Sequence, residues 1–189
     1  MVKTKIRVGP FLYPMPVVLI GATINGRVNF TPIAWATIVE YKPPMILISS
    51  SQNHHINEGI IENQCFSANT PSEDMLIETD YCGIMSGKNT DKSKIFKVFY
   101  GELEKAPMIT NAPLNLECKL VKTIDIDIAH DIFIGEIINT YSEEKYLTNG
   151  IPDMKKMNTY FFSMNDNNYW KIGEHIGRAW SIGKSYDKS

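Results

Sequence analysis

The sequence predicts a mainly β domain with a few short helices, and three observations carry the prediction. Short runs of branched, apolar residues recur along most of the 189-residue chain. Asn25-Gly26 separates two of them, and this pair favours a two-residue hairpin because both positions tolerate φ > 0. Helical spacing is confined to brief stretches after Ser51 and after Ser72. Strands at short intervals with few helices between them favour a barrel with attached helices over a βαβ sheet.

In chain order, Val17 to Thr23 reads as a buried strand and Val28 to Val39 as its return stretch, bent at Pro32. Pro43-Pro44 breaks the chain before a strand at Met45 to Ser49. Ile56, Ile60 and Ile61 then take the spacing of one helical face, with Ser51 or Asn53 placed to cap it. Cys65 to Asn69 is a short strand, and Thr70-Pro71-Ser72-Glu73 has the form of a capping box. The helix it opens carries Met75, Leu76 and Thr79 and stops before Gly83. A polar loop, Ser86 to Lys92, leads into a short helical stretch holding Phe96 and Phe99. Leu116 to Leu120 and Thr123 to Ile128 alternate apolar with polar, and Ile132 to Ile138 is a run suited to burial on both faces. No repeat or linker divides the chain, so residues 1–189 are expected to form one domain.

Nineteen Lys+Arg balance 21 Asp+Glu with neither sign in a block, which leaves no electrostatic footprint for nucleic acid or an anionic membrane. The apolar stretch Phe11 to Ala22 contains Pro14 and Pro16, is too short to span a bilayer and lacks a cleavage pattern. The expected location is therefore the cytoplasm. Three scattered cysteines without a CxxC suggest neither a disulfide framework nor a zinc ribbon.

Self-sufficient catalytic motifs are missing. No two glycines stand two residues apart, so GxGxxG is absent. Gly83 to Asn89 has one residue too few for a P-loop and ends on Asn where Ser/Thr is needed. His54 and His55 are adjacent, about 100° apart if helical, and cannot share a metal; His130 and His175 lack ligand-spaced partners. No Ser lies in a G-x-S-x-G elbow. No metal site and no catalytic side chain is therefore expected, and any chemistry would come from a cofactor.

Three polar patches remain, each at a strand end. In Asn29 to Thr37, Trp35 sits among small and polar residues and could cover a flat heteroaromatic ring; a core Trp is the plainer reading. In Ser49 to His55, three successive hydroxyls before a helix N-terminus have the chemistry of a phosphate site; an ordinary Ser cap is the plainer reading. The third patch is Ser86 to Lys92.

Together these patches resemble flavoredoxin, a branch of the flavin-reductase-like proteins. The resemblance lies in Pro14-x-Pro16, Asn29-Phe30-Thr31 with Trp35, Pro43-Pro44, the Ser-rich turn with His54, and Phe66-x-x-Asn69. It continues through Ser86-Gly87-x-x-x-Asp91-Lys92, Leu116-Glu117-Cys118 and Ile134-Gly135-Glu136-Ile137, from about Gly9 to Gly173. The tail after Tyr169 departs from it.

The resemblance implies a homodimeric split β-barrel with one FMN per subunit near the dimer interface. FMN would lie against Asn29, Thr31, Ile33, Ala34 and Trp35. Ser49, Ser50 and Ser51, with Ser86, Gly87 and Lys92, would hold its phosphate, and His54 and Asn69 are further implied contacts. The implied function is an oxidoreductase or electron carrier, served by NAD(P)H or a redox protein. The alternatives are an NAD(P)H-dependent flavin reductase that exchanges FMN and a flavin-binding protein without turnover.

Overall fold

The computed structural model describes residues 1–126 and 129–186. Its strands are β1 (Met15–Pro16), β2 (Val18–Ile24), β3 (Arg27–Ile33), β4 (Ala36–Tyr41), β5 (Pro44–Ser51) and β6 (Cys65–Thr70). These are followed by β7 (Val98–Phe99), β8 (Met108–Ile109), β9 (Leu114–Asp125), β10 (His130–Tyr141), β11 (Leu147–Thr148), β12 (Ile151–Pro152), β13 (Tyr160–Ser163) and β14 (Asn168–Lys171). The α-helices are α1 (Ile56–Asn63), α2 (Leu76–Ile84) and α3 (Met154–Met157). The mainly β architecture with short helices agrees with the sequence.

Seven strands form one antiparallel sheet in the order β3-β2-β6-β9-β10-β5-β4. Its two edges, β3 and β4, are successive in the chain and joined only by Ala34-Trp35, so they meet at one corner. Asn25 (φ 49°) and Gly26 (φ 75°) make the expected hairpin turn between β2 and β3. The sheet's inner face holds Ile20, Ile48, Phe66 and Phe133, covered by Ile56 and Ile60 of α1. A second cluster gathers Leu19, Phe30, Met75, Cys82, Phe96 and Ile109 beneath α2.

Several local expectations are corrected. The return stretch bends at Ala34-Trp35 and not at Pro32, which lies within β3. An edge strand tolerates proline because one side of its backbone needs no ladder bond. Ser51 and Asn53 do not cap α1; Ser49 to Ser51 lie inside β5, and the helix begins only after His55, whose side chain makes no cap bond. Ser72 likewise makes no side-chain cap, and a 3-10 turn (Glu73–Met75) precedes α2. Glu73 turns outward to Lys171 and Asn158, so the capping box does not form. Phe96 and Phe99 are not helical. Phe96 stacks edge-on against Phe30 at 5.5 Å, and Phe99 pairs in β7 with β8. The two strands expected between Leu116 and Ile128 are one strand, β9; residues 127 and 128 lie outside the described residues.

Two buried polar centres lock the sheet. Asn69, fully buried, donates to Leu19 O and Ser67 Oγ and accepts from Ile109 N and Asn115 Nδ2. Glu117, also fully buried, accepts from Leu103 N (2.6 Å), Asn139 Nδ2 (2.9 Å) and Tyr141 OH (3.3 Å). Glu117→Ala strands three part-buried donors and is expected to lower stability by about 3 kcal/mol, read by denaturant unfolding. A variant that unfolds at the wild-type midpoint would show that water replaces the carboxylate.

Candidate functional site

β3 positions the site. Side chains alternate along a strand, so Asn29, Thr31 and Ile33 share one face while Phe30 takes the other, packed under α2. Ile33 enters the main core. Asn29 and Thr31 stop short of it and line a polar cleft of about 560 Å³ that continues into a recess of about 180 Å³. Arg27 and Asn29 form one wall and the loop Gly87 to Lys92 the other, with His54, His55 and Ser86 towards the recess.

Asn29 is 5% exposed, and neither its amide nitrogen nor its oxygen has a partner among the described residues. Buried polar groups are ordinarily paired, and the cleft is the side from which a partner can reach this carboxamide. Gly87 packs against it: a Cβ there would lie 2.6 Å from Asn29 Oδ1.

His54 is oriented from below. Ser50 Oγ is fully buried, 2.6 Å from Asn57 Oδ1 and 3.1 Å from His54 Nδ1. Asn57 Nδ2 faces Ser51 O and Asp131, so Asn57 presents its oxygen to Ser50. Ser50 has one hydrogen, which goes to that oxygen, and His54 Nδ1 must therefore donate to Ser50. The outward nitrogen, Nε2, accepts while the ring is neutral and donates once it is protonated. Burial holds the His54 pKa below its ordinary value, and the nearby His130 and Lys92 add to this.

Lys92 is 3% exposed, and its ammonium donates to Phe30 O (2.9 Å) and Cys82 O (2.7 Å). It thereby ties the last turn of α2 to β3, meeting a carbonyl that the ending helix leaves open. Burial lowers its pKa.

Beyond the β3–β4 corner lies an apolar cavity of about 760 Å³, lined by Phe11, Leu12, Ala34, Trp35, Leu47 and Ser49. The Trp35 ring stacks at 4.9 Å, tilted 32°, on His130, which links this cavity to the His54 side. Of the residues picked from the sequence, Asn29, Thr31, His54, Ser86, Gly87 and Lys92 thus gather at the polar cleft, and Ala34, Trp35 and Ser49 at the apolar cavity. Ile33, Ser50, Ser51 and Asn69 line neither. The three serines cannot act as one cradle, because β5 points Ser50 inward and Ser49 and Ser51 to the other face. His55 and Lys88 lie within the patches read from the sequence but not among its individual contacts, and Pro14 and Pro16 entered only through the resemblance; Arg27 is new, although the Asn25-Gly26 turn already marks it as a hairpin-tip residue. Among the described residues no three His, Cys, Asp or Glu side chains converge as metal ligands.

Residues 11–155 match the model of the flavin reductase-like domain, and the chain belongs to that family. It is similar to flavoredoxin from Methanosarcina acetivorans, with 46% identity and a TM-score of 0.95 over 98% of this chain and 99% of that one. Flavoredoxin of Desulfovibrio vulgaris (Miyazaki F) is 32% identical, with a TM-score of 0.89 over 96% and 100%. Among curated relatives, an uncharacterised protein of Pyrococcus abyssi is 26% identical over 145 residues, 76% of this chain and 83% of the relative.

Proposed function

We propose that the chain is an FMN-binding flavoprotein of the flavoredoxin type, a single domain that works as a homodimer and carries electrons between redox partners. The observation that carries this reading is the buried, unpartnered Asn29 carboxamide beside Gly87, at the polar end of a site whose other end is an apolar cavity faced by Trp35. That division of chemistry fits FMN, which has a flat ring at one end and a phosphate at the other. Ala34, Trp35 and Ser49 would border the ring, Thr31 and Ser86 the ribityl hydroxyls, and Asn29, His54 and Lys88 the phosphate end. Bound FMN supplies hydride and one-electron chemistry that these side chains lack. The chain's own part is to orient the ring, exclude water at the apolar end and offer donors at the other. The 46% identity to a flavoredoxin supports the carrier role.

The dimer is supported by β4. Ile38, Val39 and Tyr41 are exposed on both faces of this strand, so it lacks cover that a second copy would supply. Light scattering should give twice the 21.5 kDa chain mass; a monomer that holds FMN tightly would reject the dimer.

The test of the function is the visible spectrum and the released flavin. Heat-released flavin should chromatograph as FMN. FAD alone, or no flavin after reconstitution with excess FMN, sinks the reading. In anaerobic stopped-flow, NADH and NADPH should reduce the flavin slowly and without saturation, and a reduced ferredoxin faster. Fast, saturable reduction by a nicotinamide would make the protein a flavin reductase, and inertness to every donor a binding module.

A pH dependence follows from His54. Its Nε2 can donate to an anionic phosphate only when the ring is protonated, and in the free protein the pKa lies below the ordinary value of 6.5. A bound anion raises that pKa, so FMN binding takes up a proton and affinity falls as pH rises through the window between the free and bound values. Titration calorimetry in two buffers of different ionisation enthalpy should show the uptake, and His54→Gln should abolish the part that exceeds the titration of FMN's own phosphate. Equal proton uptake in both proteins would remove His54 from the phosphate.

A further inference from the structure

The segment 172–186 leaves the body of the protein after β14. Every hydrogen bond it makes among the described residues is to itself: Ser181 and Ile182 amides to Arg178 O, Lys184 N to Ser181 O, Tyr186 N to Gly183 O, and Ser185 Oγ to Ile182 O. It is not a polar tail. Ile176 is 93% exposed, Trp180 96% and Tyr186 77%. Large apolar side chains held in water ask for a partner surface.

The superposition on Methanosarcina acetivorans flavoredoxin spans 98% of this chain and 99% of that one, so that protein too continues past the position of β14. The same chain also carries the complementary deficit. Its apolar cavity at Trp35 opens at Leu12, itself 85% exposed, and lies beside the uncovered β4. In a two-fold pair, an arm and a cavity on each chain satisfy each other with neither left over, whereas a foreign partner would have to match both.

We infer that segment 172–186 of each copy crosses to a second copy and lays Trp180 over that copy's cavity at Trp35, so that the site is complete only in the pair. Fully extended, fifteen residues reach about 50 Å, ample to cross a subunit interface. The crossing deepens the proposed function, because the surface covered is the ring end of the proposed flavin site.

The test installs a photo-reactive aromatic, Trp180→p-benzoylphenylalanine, in the full chain. Irradiation should give a product of twice the chain mass on a denaturing gel, with the attachment mapped by mass spectrometry to Gly9–Pro16 or Ala34–Thr37. A product that stays at chain mass, or one attached elsewhere on the second copy, overturns the inference. A chain ending at Lys171 provides an independent readout, since the segment makes no hydrogen bond to its own body. It should keep its circular dichroism yet bind FMN at least tenfold more weakly. Unchanged affinity in the shortened chain also overturns the inference. If neither chain takes flavin, the proposed function fails while the cross-link still decides the crossing.

Discussion

Asn29→Leu should raise the melting temperature of the flavin-free protein while lowering its FMN affinity about a hundredfold. The side chain is buried at 5% exposure with both polar atoms unpaired. An unsatisfied buried amide costs about 1–3 kcal/mol, and leucine has a similar branched shape without that penalty. For a chain of this size each kcal/mol is worth roughly 2–4 °C, so the gain should be roughly 2–12 °C. The same substitution removes the donor and the acceptor held for the ligand. Two buried hydrogen bonds to a charged or polar group amount to about 3 kcal/mol, near a hundredfold in affinity. Calorimetric melting without flavin and a fluorescence titration with FMN would check the two effects. A variant that melts lower and binds FMN normally would mean that Asn29 is paired within the protein and has no part in the site.

A large loss of stability is expected from Lys92→Met. Lys92 lies in a polar loop of the sequence, where the resemblance implies that it helps to hold the phosphate. In the fold two of its three N–H groups are committed to Phe30 O and Cys82 O. Methionine fills the same channel but leaves both carbonyls open, at about 1–3 kcal/mol each, partly offset by no longer burying a charge. A net loss of about 2–3 kcal/mol should show in urea unfolding, with the melting temperature down by roughly 4–12 °C. Because the ammonium is 3% exposed, the loss should be nearly the same in low and high salt. A loss that shrinks steeply with added salt would return Lys92 to the role of an exposed charge. FMN affinity should fall as well, because the tie at Phe30 sets the position of β3 between Asn29 and Thr31.

The strands at Val18–Ile24, Met45 within β5, Cys65–Thr70 and the hairpin at Asn25-Gly26 were legible because their information is local. Branched apolar runs favour extended backbone, and the two turn residues carry the positive φ themselves. The helix expected around Phe96 and Phe99 failed for the opposite reason. Their apolar spacing is equally compatible with a turn and a two-residue strand, and contact with Phe30 and Met108 decided between them. Ser49 to Ser51 misled in a related way. Read alone they lead into a helix, but pairing with β10 extends β5 to Ser51, and the strand's alternation then separates the three hydroxyls.

The sequence by itself determined the β-rich class, the absence of a self-sufficient catalytic motif, and an ordered set of patches that resembles one family. Each of these depends on neighbours in the chain or on their order along it. Only the tertiary structure decided which polar groups already have partners. Asn69 and Lys92 are held by residues 50 and 62 positions away, at Leu19 and Phe30, while the Asn29 side chain, just as polar, has no partner among the described residues. Hydrogen-bond satisfaction is a property of what folding brings close, so two asparagines that read alike in sequence become a lock in one place and an open site in the other.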